Sequence, residues 1–168
     1  MAELTTLDKL QPSLLDRLMD DEPESRVESR EKRVMSMRQL RAAVLRDLSW
    51  LLNAGNHPVS EEIYDFPLVA HSVVNFGMPD MTGLAASGLS AAQLEQMVLE
   101  AILAFEPRIV AKTLTVRIKS LDEPGGSPTA GNRVGFEISG ELCPLPMPEA
   151  LFVRTEVDLE SGQYEVKG

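Results

Sequence analysis

Residues 90–119 read SAAQLEQMVLEAILAFEPRIVAKTLTVRIK, and within this stretch the spacing of the apolar residues changes from helical to extended. Ala91, Leu94, Met97, Val98, Ala101, Ile102 and Phe105 recur at three- and four-residue intervals, which places them on one face of a helix. Ser90 followed by Gln93 is a capping-box pattern that starts this helix. Pro107 stops it, because a residue that precedes a proline is pushed out of the helical region. A few residues later Leu114, Val116 and Ile118 alternate with Thr115, Arg117 and Lys119, the pattern of a strand with one face on the core and one in water.

The alternation continues downstream. Val134, Phe136 and Ile138 alternate with Gly135, Glu137 and Ser139, and Leu151, Val153, Thr155, Val157 and Leu159 with Phe152, Arg154, Glu156 and Asp158. The outward residues are basic on the first strand and acidic on the second, which suits cross-strand pairing. Gly162 marks a turn into a last short strand over 163–167. Upstream, residues 36–55 predict a second helix whose stripe is Met37, Leu40, Val44, Leu48, Leu51 and Leu52, with Gly55 as its stop. Trp50 is expected as a core or half-buried packing residue, or as an interface anchor. Residues 68–74, LVAHSVV, fit a short helix or a strand equally. The predicted fold class is α+β, with two main helices on one face of an antiparallel sheet of three or four strands.

Nearer the start, residues 11–20 read QPSLLDRLMD, a short amphipathic helix carrying Leu14, Leu15, Leu18 and Met19. The segment after it is almost wholly charged and contains Pro23, a linker composition. The expected organisation is an N-terminal docking helix over 1–21, a charged linker over 22–35 and a main domain over 36–168. A helix this short is marginal alone, so its leucines need this domain or a partner to pack on.

The 168 residues carry a formal net charge of −10, one cysteine and two histidines. That charge argues against nucleic acid and against insertion into or adhesion to an anionic membrane. The basic cluster Arg26–Arg41, interrupted by Glu28 and Glu31, reads as a solvated linker and helix face rather than a docking site. With no secretory signal, no long apolar run and no possible internal disulfide, a cytoplasmic protein is expected. No phosphate loop, serine elbow or zinc spacing occurs, and neither a metal, a cofactor nor a catalytic residue is predicted. His71 is expected as an ordinary core or surface histidine.

Glu106 stands out among the carboxylates. Flanked by Phe105 and Pro107 after an apolar helix face, it could be desolvated and act as a general acid. Arg108, two residues on, points instead to an ion pair or a reach to a partner carboxylate. The pattern favours a structural or interface role, because perturbed carboxylates also occur in structural networks. The sheet must end in edges, and its C-terminal hairpin either accepts an extended segment from another chain or is protected by charges such as Arg154 and Glu156.

The segments PSLLDRLMDDEP (12–23), LRAAVLRDLSWLLNA (40–54), SVVNFGMPDMTG (72–83), AILAFEPRI (101–109) and VGFEISGEL (134–142), in that order, resemble the TssE family of type VI secretion baseplate subunits. These belong to the gpW-like family related to a phage tail baseplate wedge protein. The resemblance runs from about Pro12 to Leu159. It implies a baseplate subunit that joins wedge subunits to the first ring of a contractile sheath and helps to start sheath assembly. It implies a cytoplasmic position at a baseplate docked to the inner membrane complex. Glu106, Pro107 and Arg108 carry over as the family's Glu-Pro-Arg motif, implied to touch a helical bundle of subunits resembling TssF and TssG, with TssK as a further wedge partner. The C-terminal sheet is implied to exchange strands with sheath subunits resembling TssB and TssC. Leu14, Leu15 and Leu18 become an added docking element. Phe76 departs from the tyrosine expected in many relatives, and residues 143–148 do not align. The other expectation is a lysozyme-like peptidoglycan hydrolase with Glu106 as acid, for which the sequence offers no second carboxylate. On the baseplate reading, Arg108→Ala leaves the fold intact and weakens assembly.

Overall fold

The computed structural model describes residues 13–18, 35–56, 65–79, 90–119, 133–142 and 149–168. Most of the expected linker, His57, Met19, Cys143 and the loop after the first strand lie outside these residues. The described elements are α1 (Leu14–Leu18), α2 (Met37–Asn53), α3 (Pro67–Ala70), a 3₁₀ turn (Val73–Asn75) and α4 (Ala91–Phe105). The strands β1 (Thr115–Lys119), β2 (Arg133–Leu142), β3 (Glu149–Asp158) and β4 (Tyr164–Lys167) follow. Residues 67–75 are therefore helical turns, which settles what the periodicity left open.

Both long helices begin with a full capping box. Ser36 Oγ accepts from the Gln39 N–H while Gln39 Oε1 accepts from the Ser36 N–H, and Ser90 and Gln93 repeat the arrangement. Two otherwise orphaned backbone donors are satisfied at each start. The end of α2 differs from expectation. Gly55 is not in the left-handed region; the chain leaves the helix at Ala54 in an extended conformation. What stops the helix is pairing with a distant segment: the Met78 N–H donates to Ala54 O at 2.7 Å and the Asn56 N–H to Met78 O at 2.9 Å.

The four strands form an antiparallel meander in the order β1-β2-β3-β4. Val116 lies opposite Ile138, and Val134 and Ile138 lie opposite Val157 and Val153. The inward residues meet Leu40, Val44, Leu48, Leu51 and Leu52 of α2 and Leu94, Val98 and Ile102 of α4 in one buried core. On the outer face Arg117 and Arg154 both stand opposite Glu137, and Lys119 Nζ lies 3.3 Å from Glu137 Oε2. The predicted charge pairing is present, and its solvent-exposed pairs contribute little to stability.

Thr155 is the polar member of the inward row on β3. It is buried between Phe136 on β2 and Val166 on β4, and its hydroxyl has no hydrogen-bond partner among the described residues. A buried hydroxyl left unpaired is a cost that an isosteric apolar side chain removes. Thr155→Val is expected to stabilise the fold by about 1 kcal/mol, seen as a higher urea midpoint at unchanged slope; a lower midpoint would show that the hydroxyl is satisfied.

Each edge of the sheet is held by a side chain from a helix. Glu95 Oε1 on α4 accepts from the Ile118 N–H of β1 at 2.8 Å. At the opposite edge Asn53 of α2 accepts from the Tyr164 N–H at 2.9 Å and donates to Tyr164 O at 3.0 Å. One amide thus takes the place of a neighbouring strand along Tyr164.

Candidate functional site

Three separate parts of the chain meet at the C-terminal end of α4. Ile102 O accepts from the Glu106 N–H, which closes the last turn, and Glu106 leaves the helix at φ −119°, ψ 79° ahead of Pro107. That backbone bend turns the Glu106 side chain inward, where the residue is only 4 % exposed. Arg108 folds back over it. Its backbone N–H donates to Glu106 Oε1 at 3.1 Å, its Nε to the same oxygen at 2.7 Å, and its Nη2 to Oε2. This is the planar, two-point pairing of a guanidinium with a carboxylate. Pro107, between them, is exposed.

Arg108 Nη2 also donates to Asp47 Oδ2 on α2 at 2.6 Å. Asp47 Oδ1 in turn accepts from Arg46 Nε at 2.8 Å, and Arg46 Nη1 donates to Asp16 Oδ1 on α1 at 2.5 Å. The result is an unbroken chain of alternating charge, Glu106–Arg108–Asp47–Arg46–Asp16, that ties α4, α2 and α1 together. Burial opposes the charge of Arg108, but the bonds to Glu106 and Asp47 outweigh it and hold its pKa above the ordinary guanidinium value. At the other end of the chain the hydrogen bond from Arg46 holds the Asp16 carboxyl below its usual range.

Beside the ion chain lies an open pocket of about 410 Å³, lined among others by Trp50, Phe76, Phe105, Pro107, Arg108 and Leu15. The Asn75–Pro79 run contributes Phe76 to its apolar wall. Phe76 meets Phe105 edge-on at a centroid distance of 5.3 Å, and Met78 anchors the run in the core. Phe76 is thus an apolar wall residue. Trp50 is 50 % exposed, with the Arg46 guanidinium 4.8 Å over its ring. It lies on the rim of the pocket, the more exposed of the two positions its sequence allowed.

The structure therefore brings Glu106, Pro107 and Arg108 together with Leu15. Leu14 and Leu18 are 72 % and 73 % exposed and face away. Asp47, Arg46 and Phe76 are not site residues on the sequence reading, and Trp50 is there only as an alternative interface anchor. Asp47 and Trp50 stand three apart on α2, a spacing that puts them on one face. Nothing local connects that face to Arg108, which is 61 positions away in sequence. Among the described residues no cluster of potential metal ligands occurs, and no helix is long and apolar enough to cross a membrane. The arrangement offers shape, apolar surface and a guanidinium, the materials of a protein-binding site.

A family model described as baseplate wedge protein gp25 matches residues 38–143, more than half of the chain and the whole span from α2 to β2. The chain belongs to this family. Membership in the gp25 family places it among structural components of a baseplate, and its corner at Glu106–Arg108 falls inside the matched region. The segment with α1 lies before the gp25-family match, and β3 and β4 lie after it. No curated protein and no solved structure matches the chain.

Proposed function

We propose that this gp25-family chain is the TssE-type baseplate subunit of a type VI secretion system, a non-enzymatic adaptor between wedge subunits and contractile sheath. One observation carries the reading: Arg108, locked to Glu106 on one edge, stands at the rim of an open apolar pocket with part of its fork uncommitted. The Arg108 side chain is 25 % exposed, and its Nη1 makes no hydrogen bond or ion pair among the described residues. A pre-oriented guanidinium beside Trp50 and Pro107 is suited to grip a carboxylate or helix C-terminus on a neighbouring subunit. The proposed neighbours are wedge subunits resembling TssF, TssG and TssK, at a baseplate docked to the inner membrane complex in the cytoplasm.

Sheath attachment is proposed by strand addition on β1. Of the two sheet edges β4 is the more closely covered: Asn53 takes both the N–H and the C=O of Tyr164, and Leu45 stands against Gly168. On β1 a side chain takes the Ile118 N–H; Val116, two residues back on the same edge, has no such clip among the described residues. An extended segment from a sheath subunit would pair there and start the first ring.

The hydrolase reading has no geometric support. A general acid needs a proton on an oxygen that faces substrate. Both Glu106 oxygens accept from Arg108, and the carboxylate is buried.

The test is capture of baseplate components from cells that carry a contractile tail, with tagged wild type against Arg108→Lys. Lysine keeps a cation for Glu106 but loses the planar fork. A loss of about tenfold in captured wedge subunits is expected, with thermal unfolding within a few degrees of wild type. Undiminished capture by the lysine variant would remove Arg108 from the interface.

A further inference from the structure

α1 is a helix of five residues, Leu14–Leu18, and a helix so short does not persist unaided in water. The surface it lies on must hold it. That hold is slight in apolar terms: Leu14 and Leu18 are almost fully outside, and Leu15, which reaches the pocket, is still 44 % exposed. Its polar part among the described residues is the ion pair of Asp16 with Arg46, with Ser13 Oγ donating to the other Asp16 oxygen at 2.6 Å. One side of the open pocket is therefore supplied from within the chain by a leucine on a short helical turn, with the adjacent carboxylate on Arg46 beside it. Without α1, Arg46 Nη1 would lose its described acceptor, and the wall formed by Trp50, Phe76, Phe105 and Pro107 would lose its cover at Leu15.

We propose that α1 is an intramolecular plug, and that the partner admitted to this pocket is an amphipathic helix that presents a leucine followed by a carboxylate. Its leucine takes the place of Leu15, and its acid takes the place of Asp16 on Arg46. The inference deepens the reading of the pocket as the partner-binding site and rests on it. Charge complementarity at the outer end of the ion chain supports the choice of occupant: with Asp16 gone, Arg46 Nη1 has no acceptor among the described residues, a position that one carboxylate fills. A tethered segment competes at an effective concentration of about millimolar, so even a weak plug excludes weak partners and yields to strong ones.

The experiment needs no baseplate protein. The full chain is compared with Asp16→Lys, which sets a like charge against Arg46, and with Leu15→Ser, which removes the apolar contact of α1 at the pocket without altering charge. Trp50 is the chain's single tryptophan and borders the pocket, so it reports the plug directly. Acrylamide is expected to quench it more strongly in both variants. A fluorescent peptide of residues 11–21 is expected to bind both variants about tenfold more tightly than wild type, because the tethered copy no longer competes. The same peptide with lysine at its Asp16 position is expected to bind none of them. Equal peptide binding by wild type and both variants, or unchanged quenching, overturns the plug. That outcome leaves the capture experiment with Arg108→Lys standing, and loss of capture specificity leaves the peptide result standing, so the two failures are separable.

Discussion

Arg108→Ala is expected to destabilise the fold by about 3 kcal/mol, a cost that falls on the domain itself before any partner is considered. Removing the guanidinium leaves the Glu106 carboxylate 4 % exposed with, among the described residues, only the backbone N–H at position 108 as a donor. A buried charge deprived of its counter-ion is among the few causes of large mutational effects. The figure stays at the low end for buried pairs because Arg108 itself is partly in water and keeps some of its interaction with solvent. Urea unfolding of Arg108→Ala, Glu106→Ala and the double variant measures this. The double variant is expected to recover about 2 kcal/mol relative to the sum of the single variants, since deleting both partners leaves no orphan. Strict additivity would mean that the pair is not coupled. The consequence for function is that Arg108→Ala alone does not isolate assembly from folding, contrary to the expectation drawn from the sequence. The lysine variant does.

Gly77→Ala is expected to cost about 3 kcal/mol or more and to loosen the pocket wall at the same time. Gly77 has φ +128°, a region that side chains other than glycine's rarely adopt. A Cβ there would also stand 2.4 Å from Ala54 O, the acceptor of the Met78 N–H that ends α2. The methyl group cannot be relieved by a rotamer change, because the atom it meets is backbone. Either the Ala54–Met78 pairing opens or Phe76 and Met78 move, and both hold the Asn75–Pro79 run in place. A fall in the urea midpoint together with a change in Trp50 emission is the expected signature. An unchanged midpoint would show that the run can shift without penalty.

The two variants probe different levels of the site. Gly77 fixes where the wall stands, by letting a backbone approach another backbone. Arg108 fixes which way the corner faces, by neutralising the carboxylate that the Pro107 bend turns inward.

Much of this was legible in the residues themselves. The change of period between Phe105 and Leu114, the capping box at Ser90 and the stop at Pro107 are local properties, and local stereochemistry decides them. The alternation on β2 and β3 likewise set which side of each strand is buried, including the unusual inward Thr155. The end of α2 was not legible. Gly55 has the composition of a helix stop, yet the helix is ended by Met78, brought alongside by a glycine more than twenty positions further on. The apolar residues at 66–74 were equally opaque: Phe66, Leu68, Val73 and Val74 look like core and are exposed in the fold. Their spacing is irregular, and no periodicity told on which side they would fall.

The amino-acid sequence alone determined the α+β architecture, an antiparallel sheet of three or four strands and the Glu-Pro-Arg corner, because these follow from periodicity, capping and the constraint a proline puts on the residue before it; the strand order came from the structure. The tertiary structure decided what the corner is attached to. Asp47, Arg46 and Asp16 join Glu106 and Arg108 only because α1, α2 and α4 converge, and pairing of charges across such separations depends on where the packed core places the helices rather than on any local pattern.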